Sequence, residues 1–116
     1  NPVNAALVTA AIPALGQTSA EIQLEVTQAR AATTERLKGT PWLLNSEVAG
    51  SYLRRELRLP KSITKHLDSS LDQRVISMRG YDRCLRLAWS IADLGGRESP
   101  SLEDVSLAGF YRGSEL

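Results

Sequence analysis

One stretch of the chain constrains the fold more than any other. Between Ser77 and Gly96, apolar side chains recur at Tyr81, Cys84, Leu85, Ala88, Ile91 and Ala92, while Arg79, Arg83, Arg86, Ser90 and Asp93 fall on the opposite face. This period predicts an amphipathic helix, with Ser77 as its N-cap and Gly95-Gly96 as its stop. A helix with so broad an apolar face must bury it against other elements. The rest of the chain offers helical patterns and no sustained period-two alternation, so the expected fold is all-α, a bundle of four or five helices.

The remaining helices are read from caps and breakers. Thr18 with Glu21 forms a capping box for a first helix that ends at Gly39, with Ile22, Val26, Ala29, Thr33 and Leu37 on one face. Asn45-Ser46 offers a cap for a shorter helix carrying Ala49, Leu53 and Leu57, which Leu59-Pro60 ends; Gly50 is an unfavourable residue inside it. Pro60 suits the first turn of a third helix with Ile63, Leu67 and Leu71, running to about Arg74. Ser101-Leu102-Glu103-Asp104 is a capping-box-like start for a last helix that carries Val105, Ala108 and Tyr111 toward Arg112.

The expected organisation is an irregular connector at 1–17, a helical domain at 18–112 and a short tail at 113–116. Pro2, Pro13 and Gly16 break the connector, leaving at most one helical turn near Asn4 to Ala10. Its apolar run, Ala5 to Leu15, is far short of the roughly 20 residues of a membrane span. The chain opens at Asn1 with no basic region before that run, which reads as a piece of a longer cytoplasmic protein.

Composition narrows the chemistry. One Cys excludes an intramolecular disulfide and a Cys-based zinc site, and one His excludes a His-rich metal cage, so no metal site is expected. A formal net charge of +1 gives little electrostatic support to a stand-alone nucleic-acid binder. The sequence has no Gly-rich phosphate loop ending in Lys-Ser/Thr, no GxSxG, no HExxH and no CxxC, so catalysis by this chain alone is not expected. His66 reads as a surface or packing residue, Cys84 as a small buried hydrophobe, and Trp42 and Trp89 as packing anchors.

Arg79 stands apart. It lies in the first turn of the fourth helix, where the helix dipole disfavours a cation by roughly 0.3–1 kcal/mol. A guanidinium beside free backbone N–H groups suits an external anion such as phosphate, and Arg83 and Arg86 extend the same face by one and two turns. The plainer alternative is a solvated basic face with Asp82 and Arg86 paired at i,i+4. Arg54, Arg55 and Arg58 form a second basic cluster, for which a solvated face is again the simpler reading.

The block Ser77-Met78-Arg79-Gly80-Tyr81-Asp82-Arg83-Cys84-Leu85-Arg86-Leu87-Ala88-Trp89-Ser90-Ile91-Ala92-Asp93-Leu94 resembles the S-x-R-x-x-x-R-x-L-R-x-A-x-x-I-A-D-L signature in the C-terminal domain of magnesium-chelatase-like AAA+ ATPases of the ComM/YifB type. Ser19 to Arg30, Asn45 to Leu59 and Glu103 to Arg112 are similar to the family's other helical segments. Trp89-Ser90 replaces an Arg-Thr common in the block, and Asp82 stands where His is frequent. The resemblance implies a helical lid over a nucleotide held by a separate αβα core. Arg79 then occupies the sensor 2 position that reaches the γ-phosphate, with Arg83 beside it in nucleotide binding. It also implies ATP and Mg²⁺ as cofactors of the longer protein and a ring, usually hexameric, of neighbouring subunits. DNA is a further implied partner of the parent, through the branch migration associated with the ComM branch. A stand-alone DNA-binding module using Arg54, Arg55, Arg58, Arg83 and Arg86, or a pure oligomerisation bundle, are the alternatives.

Overall fold

The structure, a computed structural model, describes residues 19–114, with side chains through Phe110. The expected connector, the Thr18 cap and the last two residues of the expected tail lie outside the described residues. Five α-helices and one 3₁₀ turn make up the fold, with no strand among the described residues. In chain order they are α1 (Ser19–Arg36), the turn Asn45–Glu47, α2 (Gly50–Arg55), α3 (Lys61–Asp72), α4 (Met78–Leu94) and α5 (Leu102–Ser114). The all-α expectation is met.

The Ser77 to Gly96 stretch becomes the spine of the molecule. Tyr81, Cys84, Leu85, Ala88, Trp89 and Ala92 of α4 are buried, and every other element packs on this helix, α5 and α1 most extensively. The core joins them to Leu37, Val48, Leu53, Leu67, Ile76, Val105 and Ala108. Of the expected apolar face of this first helix, Ala29, Thr33 and Leu37 are buried, whereas Ile22 is half-buried and Val26 exposed.

Local chemistry explains where α4 starts and stops. The Ser77 hydroxyl accepts a hydrogen bond from the Gly80 N–H at 3.1 Å, as an N-cap should. At the other end Gly96 takes a left-handed φ of 73°, so that the N–H of Arg97 reaches the Ala92 carbonyl at 2.9 Å and that of Gly96 reaches Asp93 at 3.1 Å. The start of α5 is a reciprocal box: Asp104 donates its N–H to the Ser101 hydroxyl at 3.2 Å and accepts from the Ser101 N–H at 2.9 Å.

The second helix departs from the sequence expectation. Asn45 starts only a single 3₁₀ turn, the backbone is extended at Val48 and Ala49, and the helix proper is confined to Gly50–Arg55. The cause is that the Asn45 side chain is buried and bonded to Asp93, Ser90 and Arg36, so it is not free to cap a helix. Glu47 instead accepts the N–H groups of Leu43 and Leu44 at 2.9 and 2.8 Å, bonds that hold its carboxyl below the usual carboxylate range. Val48, with no exposed surface, is pulled into the core between the two pieces.

The end of α3 is finished by a non-glycine. Arg74 sits at φ 60°, with the N–H of Val75 on the Ser70 carbonyl at 2.8 Å and its own N–H on Leu71 at 3.0 Å. The left-handed region costs a residue with a Cβ roughly 1–2 kcal/mol, a cost that glycine avoids at the price of some unfolded-state entropy. Arg74→Gly is therefore expected to stabilise the domain by about 0.5–1 kcal/mol in urea denaturation; a loss of stability would show that the Arg74 side chain contributes more than its backbone strain costs.

Candidate functional site

The first turn of α4 carries a cation with no partner among the described residues. Ser77 takes the N–H groups of Gly80 and Tyr81, leaving those of Met78 and Arg79 as donors that the helix itself does not bond. Arg79 is exposed and makes no hydrogen bond or ion pair among the described residues, although it stands at the positive end of the dipole. Arg83, also exposed, follows one turn later on the same helix.

Asp82, Arg86 and Asp93 of α4 are committed to the fold, and here the structure corrects the sequence reading. Asp82 does not pair with Arg86. It is buried, at 7% exposure, and binds Arg54 of α2 side-on, Nε to Oδ1 at 3.0 Å and Nη2 to Oδ2 at 3.3 Å. Gly50 makes this approach available: a Cβ there would lie 1.9 Å from Asp82 Oδ2, so the glycine that disfavours a helix interior is required by the carboxylate beside it. Arg86 turns the other way and donates its Nε–H to the Val48 carbonyl at 2.7 Å, satisfying an acceptor in the extended segment before α2.

At the far end of α4, Asp93 is buried and not on a solvated face. At 4% exposure it accepts from the Thr33 hydroxyl at 2.6 Å, from Arg36 Nη1 and Nη2 at 2.7 and 2.6 Å, and from Asn45 Nδ2 at 2.9 Å. The Arg36 guanidinium also lies 4.4 Å from the centre of the Trp89 ring. Burial alone would push the Asp93 carboxyl up, but the hydrogen bonds from Arg36, Thr33 and Asn45 and the Arg36 charge outweigh it and hold the group below its ordinary range. A groove of about 460 Å³ opens beside this cluster, between α1 and Leu43-Leu44.

A third buried carboxylate, Asp104, binds Arg97 through two hydrogen bonds at 2.5 and 2.9 Å. Burial again opposes and the Arg97 and Ser101 bonds prevail, so its carboxyl also lies low. Between α3 and α4 the Tyr81 hydroxyl donates to Asp68 at 2.5 Å; burial and that carboxylate push the phenol up to about 12, so it stays a donor at neutral pH.

The other singled-out residues are placed simply. Arg55, Arg58 and His66 are exposed, Cys84 is fully buried, Trp42 packs edge-on against Tyr52, and Trp89 lies in the core under Arg36. Among the described residues no group of three or more His, Cys, Asp or Glu side chains could hold a metal ion, and no helix is long and apolar enough to cross a membrane. Sequence reasoning missed Arg36 and Arg97, which carry no local motif; their partners lie 57 and 7 residues away in the chain.

The family model described as magnesium chelatase, subunit ChlI C-terminal, matches residues 16–112. Uncharacterized proteins of Mycobacterium bovis and Mycobacterium tuberculosis are 38% identical over 97 residues, covering 84% of this chain. The chain spans 19% of the length of these curated relatives. No solved structure matches it.

The Asp93 cluster yields a test with a definite sign. A carboxyl whose folded pKa is depressed contributes stability above its unfolded value, near 3.9, and loses that contribution as pH falls through the folded value. The wild-type chain is expected to lose stability below about pH 4. Asp93→Ala, which leaves Arg36 buried without its carboxylate, should cost about 3–5 kcal/mol at pH 7 and make the acid dependence shallower. Urea midpoints measured from pH 7 to pH 3 check both, and an unchanged acid slope in the variant would remove Asp93 from the account.

Proposed function

The chain belongs to the magnesium chelatase subunit ChlI C-terminal family, and from that premise we propose that it is the nucleotide-covering lid of an ATP-driven motor. The family makes it a helical C-terminal domain of a magnesium-chelatase-like AAA+ protein, and a domain of this kind works against an AAA+ core. In our reading the parent is of the ComM type, assembles as a ring, hexameric in its commonest form, with lids meeting neighbouring subunits, and acts in the cytoplasm on branched DNA.

The observation that carries this reading is the state of Arg79. It is the first-turn arginine of α4, exposed and unpaired among the described residues, while Arg86 and the nearby Arg54 are bonded internally. An outward guanidinium next to the open N–H groups of a helix start fits the terminal phosphate of a nucleotide. Arg83, one turn further along α4, is assigned to nucleotide binding in the same reading.

ATP and Mg²⁺ supply the phosphoryl group and the metal that neutralises its charge; the residues cradling them belong to the AAA+ core, so this chain alone does not turn over ATP. What this chain does is deliver Arg79. A preorganised guanidinium stabilises charge as it redistributes on the transferring phosphoryl group. Because Arg79 rides on the helix against which every other element packs, a change in its phosphate contact moves the lid as one body.

A stand-alone DNA-binding module is the weaker reading. Of the five arginines it would use, Arg54 is closed on Asp82 and Arg86 on the Val48 carbonyl. Arg79→Ala in the full-length protein is expected to lower steady-state ATP turnover by roughly 10²-fold or more, with Arg79→Lys intermediate because it keeps the charge and loses the fork. Turnover equal to wild type in Arg79→Ala would exclude Arg79 from the mechanism.

A further inference from the structure

Arg79 has no partner among the described residues, although a carboxylate stands close to it in the chain. The nearest carboxylate on its own helix is Asp82, three residues on, a spacing at which side chains of a helix are neighbours with Cβ atoms about 5–6 Å apart. An Arg and an Asp so placed pair readily, and a pair would neutralise the guanidinium at the position where a phosphate has to be met. Asp82 is instead drawn off the helix toward α2, where Arg54 occupies both of its oxygens and the missing Cβ of Gly50 gives it room.

We propose that Arg54 is a positioning residue for Arg79: by closing on Asp82 it withholds that carboxylate from Arg79 and keeps the first turn of α4 open to an anion. The inference rests on the reading of Arg79 as the phosphate-contacting group. Arg54 touches no nucleotide in it and acts only through Asp82.

Three features support this assignment over a purely mechanical role for the pair. Arg54 binds Asp82 with two nitrogens, so neither oxygen is left without a cationic donor. Asp82 is buried to 7% exposure while Arg79 is exposed, so the carboxylate has turned into the protein and away from the solvent side where Arg79 lies. Arg86, which the i,i+4 spacing places within reach of Asp82, is engaged with the Val48 carbonyl. With Arg54 gone, Arg79 is the exposed cation three residues from an unpaired buried carboxylate.

The test is a set of variants of the full-length protein, read as the KM for ATP and the turnover. Arg54→Ala should raise the KM for ATP by about two- to fivefold, the range of a surface-type ion pair competing for one guanidinium. Arg54→Ala combined with Asp82→Asn should return it to the wild-type value, because no carboxylate remains to capture Arg79. Arg54→Lys, which keeps a cation for Asp82, should stay near wild type, and thermal denaturation identifies any variant that fails to fold. In an Arg79→Ala background, Arg54→Ala should have no further effect on KM. A KM raised equally in Arg54→Ala and in the Arg54→Ala/Asp82→Asn pair, with Arg79→Ala impaired, would overturn the role of Arg54 and leave Arg79 in place. A wild-type KM in Arg54→Ala would overturn it too. Wild-type kinetics in Arg79→Ala would overturn the reading of Arg79 and this inference with it.

Discussion

Three buried carboxylates organise this domain. Asp82, Asp93 and Asp104 are each less than a tenth exposed, and each is held by an arginine from elsewhere in the chain: Arg54, Arg36 and Arg97. A carboxylate removed from water without a partner would cost several kcal/mol, so these pairings dictate where their elements sit. Arg36 and Asn45 must meet Asp93, which fixes α1 and the Asn45–Glu47 turn at one end of α4. Arg54 must meet Asp82, which fixes α2 near the other end. Between those two points the apolar face of α4 closes the core.

This arrangement sorts the arginines by role. Arg36, Arg54, Arg86 and Arg97 hold the fold together through carboxylates or a backbone carbonyl. Arg79 serves no such purpose among the described residues, and it lies where the helix dipole gives it no intrinsic reason to be. A cation that does nothing for the fold, at the end of the best-anchored helix, is what a group meant for an external phosphate requires. In the role proposed for Arg79, the rigidity of that anchoring matters as much as the charge, since an arginine that wandered would stabilise a transition state poorly.

Local signals in the sequence carried much of the fold. The 3.6-residue period of the Ser77 to Gly96 stretch, the Ser77 cap, the Gly96 stop and the Ser101–Asp104 box depend on neighbours within a turn or so, and each is found in place. Arg79 was legible for the same reason: its helix position is a local fact. The errors arose where a side chain answered to a distant partner. The i,i+4 spacing offers Asp82 to Arg86, whereas Arg54, 28 residues earlier, takes it. Asn45 is a residue type that caps helices, whereas Asp93, 48 residues on, claims its amide. Gly50 disfavours a helix by its own propensity, and the carboxylate packed over it is what requires it there.

The central claim is that this domain presents Arg79 to the terminal phosphate of a nucleotide held by an AAA+ core. The most direct measurement is a structure of the full-length protein with a non-hydrolysable ATP analogue bound. The account predicts the Arg79 guanidinium within about 3 Å of a terminal phosphate oxygen, with Arg54 still closed on Asp82. A bound analogue whose terminal phosphate is met by other cations, with Arg79 in solvent or paired to Asp82, would contradict it.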